Sequence, residues 1–528
     1  MAGFAAIFAA VMLGEYLAFR RGLVLIADLG LAGAALTLYF VESILVLILL
    51  VSLVSYLASG LWIFYRAKDT PFLRATPLSL GALYTLRSSE TFAVTSWALV
   101  VVGVPALLAL GVTHDTPPEF YAGAVVILAL FAALIAGAGA LLTTIAAAVL
   151  SRTPTRLGIG IAVAAVVLGF VALVGKNVVP STADFYAIFQ PGMANGKPAS
   201  IKFIEAKFTL WPSHPFAAAL YAGATGRAAG STASRAALVV VPLVSLLLAF
   251  TAGRRLYART LPVVMERFTM APPGRAPLAP GRPFPRRLRG PIGAMLERDV
   301  VTLARNPHEL GRMGFIAFLL ALYTAFVLLA PLREVGDRPH ALARLMLFNV
   351  SAAGYFLTAF GLRFVFPSTS LEGRAAWVFF SSPISRARLV MAKLALFATL
   401  VTVAVVPIAL AGTVRLVRDP VLIAAVAVLL LLLAVTTASV LLAFGTAWPD
   451  FREANPEVLS TSASGLAATV VCLVYVALVG WIARAVVLAH AAGDGVTPWL
   501  VGGAVVSAAL VAGSLALIAS RAPLLEAR

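Results

Sequence analysis

Runs of about 20 apolar residues, the length a helix needs to cross a bilayer, recur along this chain with short polar breaks between them. They fall near 22–40, 43–64, 91–112, 121–149, 157–175 and 236–253, and again near 313–331, 342–366, 394–412, 421–447, 460–482 and 498–520. Each run is solidly apolar instead of alternating, so it predicts a helix and not a strand of an outer-membrane barrel. The expected fold is an all-α polytopic membrane protein with twelve transmembrane helices as two parallel six-helix repeats. Residues 1–19 are also apolar, but Glu15 interrupts them, and they are expected to lie along the interface.

Composition narrows the class. Of 528 residues, 61% are hydrophobic and 12% charged, against roughly 45–50% and 25% in soluble domains. A soluble enzyme, a secreted disulfide scaffold and a disordered chain are excluded. The net charge of +18 would suggest nucleic acid in a soluble protein, but membrane proteins keep Lys and Arg in cytoplasmic loops. With loop 65–90 placed inside, short cytoplasmic segments hold 15 Lys and Arg and short external ones hold 5. Both termini are then cytoplasmic, the bilayer is a partner and nucleic acid is not. The single cysteine, Cys472, lies in an apolar run and allows neither a disulfide nor a thiolate cluster.

Two segments outside the spans stand out. Residues 254–312 carry twelve Arg and the stretch APPGRAPLAPGRPFPRR, which reads as an extended, semi-rigid connector. The domain organisation expected is a first repeat over 1–253, a Pro/Arg-rich cytoplasmic linker over 254–290 and a second repeat over 291–528. Residues 176–235 form the one large external element. The halves share a spacing: Pro77, Ser79, Leu83 and Arg87 correspond to Pro383, Ser385, Leu389 and Lys393 at a constant offset of 306. An acid precedes each set, Asp69 and Glu372, and a proline follows within the next span, Pro105 and Pro407. This points to an internal duplication. Six spans per repeat make the repeats parallel, with a pathway expected between them.

Catalytic chemistry is not visible. The five histidines, His114, His214, His308, His340 and His490, are scattered over separate loops. Gly192-Met-Ala-Asn-Gly196-Lys197-Pro198 resembles part of a phosphate-binding loop. It is one residue short between the glycines and has proline where a hydroxyl must hold magnesium. The expectation is no catalytic, cofactor-binding or metal residue in this chain. Intramembrane charges are functional candidates because burying them in lipid is costly. Asp28 in the first span is such a candidate, while Arg344 and Arg363 can snorkel to an interface. Asp299 sits on the apolar face of an amphipathic stretch, 292–305, which is costly unless a cation pairs with it.

These residues resemble a known family. The acid after the second span followed by Ser-Ser-Pro-Ile-Ser-Arg-x-Arg-Leu-x3-Lys over 381–393 is similar to the cytoplasmic signature of type-2 ATP-binding-cassette exporter permeases. Similar landmarks are Glu297-Arg-Asp-x5-Arg305-Asn-Pro307, Phe444-Gly-x3-Pro449-Asp-Phe-x3-Asn455-Pro456 and Trp211-Pro-Ser-His-Pro-Phe. The first repeat departs from the pattern: Thr76 replaces a serine or alanine, and Arg87 stands for lysine. The resemblance implies a permease of the bacterial cytoplasmic membrane with both halves in one chain, driven by a separate ATPase subunit, as a dimer, that alone holds ATP. It also implies that Asp69, Pro77, Ser79 and Arg87, with Glu372, Pro383, Ser385 and Lys393, couple to that ATPase through charged contacts.

A twelve-span secondary transporter and a non-transporting membrane scaffold stay open beside this reading. Against the transporter, loop 65–90 lacks Gly-x3-Asp-Arg-x-Gly-Arg-Arg, and acids within spans are nearly absent.

Overall fold

A computed structural model describes residues 2–27, 30–67, 69–152, 193–194, 197–226, 231–269, 293, 318–324, 327, 339–375, 386–452 and 456–521. The chain divides into two compact units, Met1–Pro280 with Asn306–Leu322, and Gly281–Arg305 with Tyr323–Arg528.

The first unit opens with α1 (Ala2–Ala27) and α2 (Gly30–Arg66). A short α3 (Thr70–Ala75) leads to α4 (Leu80–Thr95), a π turn at Leu99–Gly103 and α5 (Val104–Thr113). Then come α6 (Pro118–Arg152), the two-residue strands β1 (Met193–Ala194) and β2 (Lys197–Pro198), α7 (Ala199–Phe208) and α8 (His214–Thr225). Next, α9 (Thr232–Leu248) passes through a π turn at Ala249–Gly253 into α10 (Arg254–Thr269), so helix runs some way into the segment read as an extended connector. The second unit contains α11 (Pro339–Phe364), two 3-10 turns (Phe366–Ser368 and Ser370–Ala375), α12 (Arg386–Leu416) and α13 (Pro420–Ala447). It ends with α14 (Pro456–Ser460), α15 (Ala463–Ala491) and α16 (Thr497–Arg521).

Among the described residues, eight helices are long and apolar enough to cross a membrane, or nine if the bent pair Leu80–Thr95 and Leu99–Thr113 is one span. The fold is therefore all-α in its membrane part, but twelve spans are not what these residues provide. The break expected between the runs at 22–40 and 43–64 is absent: α2 starts at Gly30 and continues unbroken through 40–43 for 37 residues. Glu42 falls at that place, and a single charged side chain does not interrupt backbone hydrogen bonding along the helix. At 1.5 Å per residue, α2 is about 55 Å long, more than the roughly 30 Å hydrocarbon core. The interfacial helix expected over 1–19 likewise runs on to Ala27, where Leu23 is fully buried. The run at 157–175 lies outside the described residues, as does most of 313–331.

In the first unit α2 is the central element, packing against α4, α6, α7 and α8, while α1 lies along α5. Its buried positions join two apolar clusters, one with α5, α6 and α8 through Leu45, Ile48, Leu110, Phe131 and Phe216, the other with α7 and α8 through Leu38, Tyr39, Ile204, Phe208 and Tyr221. Helix α9 leaves Val240, Leu243 and Leu247 exposed by 53%, 57% and 62%. An apolar stripe of that kind faces lipid and not water. The 46° bend between α4 and α5 sits beside Pro105, whose ring would strike a carbonyl one turn earlier; the wider π turn gives it room.

The core of the second unit is α13, where Leu429, Leu430, Leu433, Ala434, Leu441, Leu442 and Ala443 are wholly buried. It packs against α11, α12, α15 and α16. Gly445 lets the backbone of the first 3-10 turn lie directly on this helix, because a methyl group there would overlap the Phe366 carbonyl. That contact fixes where the chain turns after α11.

Candidate functional site

The acid and the base of each half come together. In the first half, α2 ends at Arg66 and the chain folds into α3, with Asp69 at its N-cap position and a proline in its first turn. Thr76 and Pro77 end that helix, and Ser79 starts the next by accepting a hydrogen bond from Ala82 N at 3.1 Å. Arg87 lies two turns into α4 and is 2% exposed. Its Nη2 donates to Asp69 Oδ1 at 2.7 Å and to Thr70 Oγ1 at 3.1 Å, while Nη1 donates to Glu90 Oε2 at 2.7 Å. A planar guanidinium suits this task, since its fork reaches acceptors on two elements at once. The Arg87 hydrogen bond holds the Asp69 carboxyl below its ordinary range, although Asp69 itself is half-exposed.

The second half repeats the plan with different chemistry. After α11 the chain makes its two 3-10 turns, and Gly373, at φ 56°, reverses it immediately after Glu372. From α12, Lys393 Nζ donates to Glu372 Oε1 at 2.6 Å and to the Ser368 carbonyl at 2.8 Å. Both side chains of this pair are 9% exposed. The point charge of lysine meets one carboxylate and one carbonyl where arginine bridged two carboxylates and a hydroxyl. We call each arrangement an elbow. In both, a base on the second helix reaches back across the turn to an acid that follows the first.

Asp69, Arg87, Glu372 and Lys393, read as a contact with an ATPase, also bond within the chain: each acid pairs with the base of its own elbow. The bases are buried, so they brace the turn. Pro383 and Ser385 lie outside the described residues, as do Asp28 and Asp299.

Sequence reasoning missed Glu90, Thr70 and Ser368 as partners of the bases. The spacing of Arg87 and Glu90, three apart on a helix, was a usable signal. It also missed Glu42. This residue is wholly buried in α2, and its Oε1 lies 2.6 Å from Nδ1 of His214 at the start of α8. The partners are 172 positions apart, and His214 is one of the histidines read as scattered. Among the described residues, no group of three or more His, Cys, Asp or Glu is placed to hold a metal ion.

Residues 192–198, the near-match to a phosphate loop, contain the short hairpin of β1 and β2, with Met193 opposite Pro198 and Ala194 opposite Lys197. A phosphate cradle needs backbone N–H groups converging on the anion and a hydroxyl after the lysine. Pro198 has no backbone N–H and no hydroxyl to offer.

A family model described as "putative ATP-binding cassette" matches residues 2–522. No curated protein and no solved structure matches the chain. The family match overturns three expectations. A permease subunit driven by a separate ATPase is not retained, because the family that spans nearly the whole chain is itself described by ATP binding. For the same reason, the exclusion of any enzymatic role and the placing of ATP on a partner alone are withdrawn. With so much of its length matched, this chain belongs to that ATP-binding cassette family.

Proposed function

We propose that this protein is a membrane transport protein of the ATP-binding-cassette type, in which two ion-paired elbows carry nucleotide-dependent movement into the spanning helices. The observation that carries the reading is the internal bracing of Asp69 by Arg87 and of Glu372 by Lys393, at matching places in two halves of one sequence. A braced turn moves as a unit, so a push on it is delivered to both attached helices. Beside the first brace, Phe72 and Leu78 are 70% and 45% exposed, giving the turn an apolar face on which a push could act. Ser79, two residues after Pro77, sets where the second helix of the first elbow begins.

The constant offset of 306 between Arg87 and Lys393 supports two related halves. If α1 and α2 take the places of the runs at 22–40 and 43–64, the N-terminus and the first elbow lie on the same side. The excess of Lys and Arg in those short segments argues that this side is cytoplasmic, and the resemblance to bacterial exporter permeases supports a bacterial cytoplasmic membrane.

The test is a change of accessibility with nucleotide. Phe72→Cys is placed in a Cys472→Ala background, and its rate of modification is measured in membrane vesicles with and without Mg-ATP and vanadate. The rate is expected to change by a few-fold. A rate indifferent to nucleotide at this position and at an exposed position of the second elbow, Leu371→Cys, would overturn the reading.

A further inference from the structure

Glu42 is a carboxylate with no route to water. It is wholly buried in α2, and His214 is 5% exposed. Oε1 meets His214 Nδ1 at 2.6 Å, while Oε2 and the neighbouring Ser213 Oγ are buried without a hydrogen-bond partner among the described residues. The surroundings sharpen the problem. Tyr39 is on the same helix, and Lys207 of α7 donates to its hydroxyl at 3.3 Å. Glu205 of α7 acts on Glu42 through space, and Tyr221 of α8 is buried nearby. The faces of α5 and α6 packed on this part of α2 bring Ala109, Leu110, Phe120 and Ala124, none of which carries charge. A bare anion with an unsatisfied oxygen in such a place is strongly disfavoured.

We propose that Glu42 and His214 form a proton-binding site that fastens α8 to the spanning helix α2. One proton resolves the charge in either of two ways: an imidazolium facing a carboxylate, or a neutral imidazole facing a carboxylic acid. In both, the pair is neutral overall and the short contact is kept. Removing the proton leaves a net negative charge facing Glu205, held only by a neutral imidazole N–H, and the fastening of α8 to α2 weakens. Adding a second proton places a net positive charge there. The site thus takes one proton per chain, and its ligand reports directly on the packing of α8.

The test uses the full chain in lipid nanodiscs, with 15N-labelled histidine and pH-difference infrared spectra, for the native protein and Glu42→Gln. The expected result at neutral pH is one proton on the pair. It is read either as an imidazolium signal of His214 or as a carboxylic-acid C=O band of Glu42, and it is lost in Glu42→Gln. Raising the pH should remove it in one step shared by both residues. Glu42→Asp, which keeps the acid, should shift the signal without abolishing it, and serves for assignment if Glu42→Gln does not insert. A neutral imidazole facing an ionised carboxylate at neutral pH would overturn the proposal.

Discussion

Arg87, buried to 2% exposure, holds the half-exposed Asp69 through a 2.7 Å hydrogen bond that closes an eighteen-residue turn between α2 and α4. The base is the structural member of the pair, because it also bonds Thr70 and Glu90 and has nowhere else to place its charge. The acid can be rehydrated if the bond is lost. This asymmetry sets what substitutions should do.

Arg87→Gln should destabilise the protein by about 2–3 kcal/mol, since a buried hub with three charge-assisted contacts is lost. Asp69→Asn should cost less, because Asn keeps an acceptor oxygen and Glu90 and Thr70 still bond the guanidinium. The measurement is thermal unfolding of the purified protein in detergent. An Asp69→Asn loss equal to or larger than that of Arg87→Gln would contradict this ordering.

In the second elbow both partners are 9% exposed, so the pair is shielded from water on both sides. Lys393→Met, which removes this ion pair from a buried carboxylate, should cost about 3–5 kcal/mol. The double change Glu372→Gln with Lys393→Met should recover much of that loss. A double-mutant cycle should therefore give a larger coupling for Glu372 and Lys393 than for Asp69 and Arg87. Equal couplings would mean that burial does not distinguish the two elbows.

Acid should weaken the first elbow. A carboxyl whose pKa is lower in the folded than in the unfolded state adds stability above the unfolded value and loses it as pH falls through the folded one. Asp69 is in that position, first because of the Arg87 hydrogen bond. Asp419, which caps α13, is held down first by the backbone N–H of Val421 and then by His490. Their contributions should be complete at neutral pH, begin to fall near an ordinary carboxyl value of about 3.9 and vanish below the depressed one. The difference in unfolding temperature between native protein and Asp69→Asn should thus shrink on acidification. A difference that grows would reverse the sign.

Gly445→Ala should separate the second elbow from α13, because its methyl group would meet the Phe366 carbonyl. The expected cost is about 1–3 kcal/mol, together with faster modification of a cysteine placed at Phe366, which is 2% exposed. An unchanged rate would show that the turn does not depend on this contact.

What the sequence made legible was what depends on local order. The apolar runs at 121–149, 421–447, 460–482 and 498–520 match α6, α13, α15 and α16 closely, because apolar length alone decides them. The pairing of each acid with a base of the same half was only partly visible. Spacing placed the two on neighbouring elements but did not say whether they faced each other or outward. Glu42 was missed for a different reason. In a one-dimensional pattern a charge inside a run looks like a boundary, and only folding brings His214 to neutralise it across 172 positions. The bend ahead of Pro105 against the unbroken helix at Pro407 was equally hidden, since each proline simply follows its turn, about one helical turn apart in spacing. The π turn that separates the two cases is a tertiary choice.

The most direct measurement is the nucleotide response of the first elbow with its brace intact, broken and exchanged. Modification of Phe72→Cys is followed in membrane vesicles with and without Mg-ATP and vanadate, in the native background, in Arg87→Gln, and in Asp69→Arg with Arg87→Asp. The elbow account predicts a few-fold nucleotide response in the native background, its loss in Arg87→Gln at unchanged membrane yield, and partial return in the exchanged pair. A full response in Arg87→Gln, equal to that of the native elbow, would contradict it.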